Sequence, residues 1–163
     1  MKLLLRNRIN EVEKYYKTVC FTFGLAATIF IGSLNALLMT PKSEWFVSLS
    51  GMYVNGKVHS VCWLVVYILT AIHIGEFFGR RELRKYIWVI AVVSLLGIVW
   101  CGVFFRLHSM TGAVAVLSVI TAFIVFLFGI TLKKTRLLAL LTAPVLAWYG
   151  YLLFINVYLA ALN

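Results

Sequence analysis

An all-α membrane protein, a bundle of five transmembrane helices with a cytoplasmic N-terminus and an outside C-terminus, is the fold class that three observations predict. First, the 163 residues are 63% hydrophobic and 12% charged, whereas a soluble domain averages about 45–50% apolar and about 25% charged. So small a globule cannot hide that much apolar surface. Second, five apolar stretches approach the roughly 20 residues that a bilayer core of about 30 Å demands: Thr18–Met39, Val58–Phe78, Ile87–Phe105, Ser109–Leu132 and Leu137–Ala160. Third, the net charge of +10 comes in short basic runs between those stretches, and twelve of the fifteen Lys and Arg fall on one side of an alternating topology. The positive-inside rule puts that side in the cytoplasm. The same distribution excludes a continuous nucleic-acid patch, and no nucleic-acid partner is expected.

Residues 1–17 form a basic cytoplasmic segment, and residues 18–163 the transmembrane domain. Charges flank the three-leucine run of the first segment, which is too short for the apolar core of a leader peptide. In the first helix Gly24, Ala27 and Gly32 suit close helix packing, as does Gly129 in the fourth. Thr40 to Lys57 is the one long connection; it carries Pro41, Trp45, Gly51 and Gly56 and suits a structured lid. The remaining connections are short, so sequence neighbours are expected to pack as antiparallel hairpins. Glu76 stands one turn from Arg80 and is expected to pair with it; with His73 it also allows a proton relay. Arg106 and His108 read as solvated loop residues. Cys20, Cys62 and Cys101 are odd in number and lack a C-x-x-C spacing, so neither a disulfide framework nor a metal site is expected.

Tryptophan carries the functional signal. Trp63, Trp100 and Trp148 each lie inside a span, in its outer half by the rise per residue, whereas Trp88 sits at a cytoplasmic helix end where an interfacial belt suffices. Gly97, Trp100, Cys101 and Phe104 form one stripe at i, i+3, i+4 and i+7. Trp63 with Tyr67, and Trp148 with Leu152 and Asn156, repeat the pattern at i+4. Asn156 is polar at lipid depth and should face protein or a cavity. Outer-belt anchoring stays open for Trp63 and Trp100.

These residues resemble those of the translocator protein / tryptophan-rich sensory protein family (TspO/MBR, the peripheral benzodiazepine receptor family). The likeness rests on Trp100 with Phe104-Phe105-Arg106-Leu107-His108-Ser109, on Pro144-Val145-Leu146-Ala147-Trp148 with Asn156 and Leu162-Asn163, on Trp63 to Leu69, and on Trp45-Phe46 with Ser48-Leu49. It spans about residues 31–163. It implies a ligand cavity beneath the first loop, lined by Phe46, Trp63, Tyr67, Gly97, Trp100, Cys101, Phe104, Trp148 and Leu152. It also implies a tetrapyrrole ligand rather than a required cofactor. Departures are evident: Tyr53-Val54-Asn55 stands where the family has a Pro-Pro motif, Gly97 replaces an Asn, Cys101-Gly102 replaces a Ser-Pro pair, and Phe154 and Ala161 interrupt the sterol-type pattern.

The expectation is therefore an integral membrane receptor or carrier for a flat apolar, porphyrin-like ligand, in the cytoplasmic membrane of a bacterium. Two alternatives stay open. One is light-dependent porphyrin degradation with Trp63 and Trp148 as redox partners; the other is a structural or assembly protein that has lost its ligand. Self-association into a homodimer is also open, with no exposed glycine stripe to mark its face.

Overall fold

The computed structural model describes residues 2–40, 43–49 and 56–163, with backbone alone for residues 2–10, 13 and 14. The elements are α1 (Lys2–Leu38), α2 (Glu44–Ser48), α3 (Gly56–Gly79), a 3-10 turn (Arg84–Tyr86), α4 (Ile87–Phe105), α5 (Met110–Lys134) and α6 (Arg136–Leu162). Five are long and apolar enough to cross a membrane: Tyr15–Leu38, Gly56–Gly79, Arg84–Phe105, Met110–Lys134 and Arg136–Leu162. In lipid the helix is the natural solution, because every backbone polar group finds its partner within the segment. Threonine hydroxyls do the same: Thr70, Thr121 and Thr142 donate to the carbonyl four residues back at 2.7–2.8 Å. The 37 residues of α1 run to about 55 Å at 1.5 Å each, so α1 outreaches the bilayer, and no backbone break marks position 17.

The helices close into a ring in the order α1, α3, α6, α5, α4. Three of the four expected hairpins form, α1 with α3, α4 with α5 and α5 with α6; the exception is α4, which packs on α5 and α1 and touches α3 only slightly. The turn between α3 and α4 supplies a reason. Leu83 is fully buried and inserts among Phe77, Val89, Ile90, Leu127 and Leu138, so the turn strides across the bundle end. Glycine tightens the first hairpin. A Cβ on Gly24 would meet Ile74 at 3.0 Å, one on Gly75 the Phe21 Cα at 3.3 Å, and one on Gly32 the Tyr67 ring at 2.9 Å. Small residues thus let α1 and α3 approach backbone to backbone. Gly24 and Gly32 act as expected, but Gly129 does not, since nothing lies within 4 Å of its Cβ position.

At the end where α1 begins, Arg80 Nε donates to Glu76 Oε2 at 2.8 Å, the expected i,i+4 pair. Lys134 Nζ donates to Glu82 at 2.9 Å, and Arg84 donates to the Phe78 carbonyl at 3.0 Å. This is the basic end. The opposite end carries α2 and is called the loop end. There Ser109 caps α5, its hydroxyl accepting from the Gly112 amide at 3.3 Å, after His108 has turned the chain with a φ of 53°.

Candidate functional site

The loop end is covered by α2. Ser43 is its N-cap, accepting from the Phe46 amide at 3.3 Å, which fixes where Trp45 and Phe46 point. Trp45 stacks on His108 at 4.3 Å and meets Phe104 edge-on at 5.4 Å. Phe46 lies against Phe105 at 5.6 Å and Phe104 at 6.3 Å. Arg106 donates to the Leu37 carbonyl at 2.8 Å, and the Thr40 hydroxyl to the Phe105 carbonyl at 3.4 Å. Arg106 and His108 are exposed, as expected of loop residues, and each also holds a neighbour: Arg106 the end of α1, and His108 the Trp45 ring of the cover. Pro41, Gly51 and the Tyr53-Val54-Asn55 departure lie outside the described residues.

Below the cover, Trp63 is the hub of an aromatic cluster. Its ring stacks on Tyr67 at 5.5 Å, tilts on Trp100 at 6.5 Å, and meets Tyr149 at 5.8 Å and Trp148 at 6.1 Å edge-on. Trp63, Trp100 and Trp148 are 7%, 3% and 9% exposed, against 50% for Trp88. Belt anchoring thus describes Trp88 and not the other three. Trp63 Nε1 donates to His59 Nε2 at 2.9 Å, and Trp100 Nε1 to Asn156 Oδ1 at 3.3 Å. The Asn156 amide nitrogen donates to the Leu152 carbonyl at 2.9 Å. The Trp148 indole nitrogen is buried without a partner.

Eight of the nine expected site residues line one or another of three cavities rather than a single one. Phe46, Trp100, Phe104 and Leu152 line a cavity of about 430 Å³, together with His59 and Asn156. Trp63, Tyr67 and Cys101 line a second, of about 300 Å³, between α1 and α3. Gly97 opens with Trp63 and Tyr67 on a deeper one of about 60 Å³. Trp148 backs the cluster through His59, at 5.5 Å, and Trp63.

A family model for the TspO/MBR family matches residues 21–162, nearly the whole chain. The chain belongs to the TspO/MBR family. No curated protein matches it. As a TspO/MBR member it is an integral, multi-pass membrane protein with a buried aromatic cluster. His59 is the site residue whose role the sequence hid. Its spacing of four from Trp63 was the available signal, and the hydrogen bond leaves Nε2 occupied by the Trp63 indole. Asn35 and Tyr149 were also missed. Asn35 is polar within an apolar span, the same signal that singled out Asn156. Tyr149 is masked by its neighbour Trp148. Among the described residues no three His, Cys, Asp or Glu side chains converge.

Proposed function

We propose that this TspO/MBR protein is a receptor or carrier for a flat apolar ligand, foremost a tetrapyrrole, held in the cavity beneath α2. The observation that carries this reading is the cavity of about 430 Å³, within the roughly 300–1,000 Å³ of small-molecule sites. Its wall includes Trp100 and Phe104 stacked at 5.9 Å, which offer faces to an extended π-system. Asn156 and His59 provide the few polar groups that orient a ligand. We further propose that the loop end faces outward, away from the basic end.

Titration of the purified protein with protoporphyrin in the dark tests the site. Saturable quenching of tryptophan fluorescence is expected. Leu152→Trp, which fills the cavity, is expected to weaken binding at least about tenfold, or about 1.4 kcal/mol, with the melting temperature measured in parallel. Absence of saturable quenching, or unchanged affinity in a folded Leu152→Trp protein, overturns the reading.

A further inference from the structure

Beneath Trp63 the bundle encloses the chamber of about 60 Å³. It is too small for a ligand of the outer cavity and wide enough for about four waters. Its wall is mostly apolar, and Asn35, Tyr67, Thr70, His73, Ser94 and Thr142 bring polar side chains to it. Asn35 is 4% exposed; its amide nitrogen donates to the Tyr67 hydroxyl at 3.2 Å, while its Oδ1 is buried without a partner. Asn35 lines both this chamber and the second cavity, and a water in either would supply the donor its oxygen lacks.

His73, 5% exposed, makes two contacts that give both ring nitrogens a partner able to accept a hydrogen. Nδ1 lies 2.6 Å from the Leu69 carbonyl, and Nε2 lies 2.8 Å from the Thr142 hydroxyl. The Thr142 oxygen is also 2.7 Å from the Leu138 carbonyl. A carbonyl only accepts, so Nδ1 must carry a hydrogen. Thr142 has one hydrogen, and the 2.7 Å contact directs it to the Leu138 carbonyl. With the hydrogen there, Nε2 is the donor to the Thr142 oxygen. Either neutral tautomer leaves one of the three short contacts without a hydrogen; the imidazolium, with both nitrogens as donors, fills all three.

We propose that this chamber is a proton-binding site, in which a hydronium among the chamber waters gives its proton to the His73 imidazole, leaving water and an imidazolium held by Leu69 and Thr142. The groups around it are few. On α3, Glu76 lies one turn away with its carboxylate engaged by Arg80, and Tyr67 lines the chamber. α1 presents Thr28 and Asn35, α4 Ser94, and α6 Thr142 and Tyr149. From α5, Thr131 lies 3.4 Å from Thr142. Among the described residues no Lys, Arg or carboxylate lines the chamber, so the carbonyls and hydroxyls hold the charge. Ionisable side chains kept inside a span are characteristically functional, and this one is built into the same wall as Trp63, the hub of the aromatic cluster.

Histidine-selective nitrogen-15 magnetic resonance on the protein in lipid nanodiscs tests the proposal, with the His73 signals assigned by their loss in His73→Gln. Between about pH 8 and about pH 5, His73 is expected to reach a state with both ring nitrogens protonated. Thr142→Val, which removes the acceptor, is expected to lower the midpoint by about one pH unit, a tenfold weaker hold on the proton. Thr142→Ser, which keeps the hydroxyl, is expected to titrate like the parent. A single neutral tautomer throughout the range overturns the proposal, as does a folded Thr142→Val that titrates unchanged. If Thr142→Val does not fold, the parent and Thr142→Ser spectra decide by the same criterion.

Discussion

At Gly97 an added Cβ would meet only the Tyr149 hydroxyl oxygen, 3.9 Å away, whereas at Gly32 it would lie 2.9 Å from the Tyr67 ring. The two glycines therefore respond oppositely to the same change. Gly97→Ala gains helix propensity at no steric cost and is expected to raise stability by up to about 1 kcal/mol. Gly32→Ala pushes Tyr67 away from Asn35, whose amide donates to it at 3.2 Å. Overpacking and a weakened buried hydrogen bond are expected to cost about 1–3 kcal/mol together. Thermal melts of the two variants in one detergent check both signs. Gly97 illustrates what was and was not legible at this scale. Its place on the Trp100 stripe follows from spacing, and the structure keeps it on a cavity wall. Which cavity depends on where the Trp63 ring lies, and no periodicity encodes that.

Among the elements, α2 has the fewest internal supports: five residues, one N-cap, and aromatic contacts to α4 and to His108. Trp45 holds two of those contacts and lines none of the three cavities described above. Trp45→Ala is therefore expected to loosen the cover and leave the cavity wall intact. Stopped-flow dissociation of protoporphyrin should quicken several-fold, with the association rate changed less. At the opposite end the Glu82–Lys134 contact makes a pH prediction. The hydrogen bond and charge of Lys134 hold the Glu82 carboxyl below its ordinary value. A depressed carboxyl contributes stability above its unfolded pKa of about 4.3, and that contribution is lost as pH falls through the lower folded value. Both side chains are open to solvent, so the effect is small. Glu82→Gln should melt slightly below the parent near neutrality and together with it below about pH 4.

At the scale of the whole molecule, five helices were legible because span length and charge alternation are properties of the chain alone. The ring order was not. In lipid the outer face of a helix is as apolar as its inner face, so apolarity does not say which side meets protein. The α1–α3 seam depends instead on where backbones can approach, at Gly24 and Gly75, and the displacement of α4 from α3 on Leu83 entering the bundle end. Orientation is a property of the whole chain as well, and here charge alone argues it. Twelve of fifteen Lys and Arg belong to the segments of the basic end, an excess from which the positive-inside rule predicts a cytoplasmic basic end. Two exposed positions report on it: Leu107 at the loop end, 72% exposed, and Glu82 at the basic end, 55% exposed in its side chain. With Cys20, Cys62 and Cys101 replaced by Ala, Leu107→Cys and Glu82→Cys each carry one thiol, and neither change removes a basic residue. In intact bacterial cells a membrane-impermeant maleimide is expected to label Leu107→Cys and to spare Glu82→Cys until the membrane is permeabilised. The reverse pattern would place the cover of the aromatic cavity in the cytoplasm and reverse the side from which a ligand approaches. Equal labelling of both positions in sealed cells would instead mean that the charge excess does not fix one orientation.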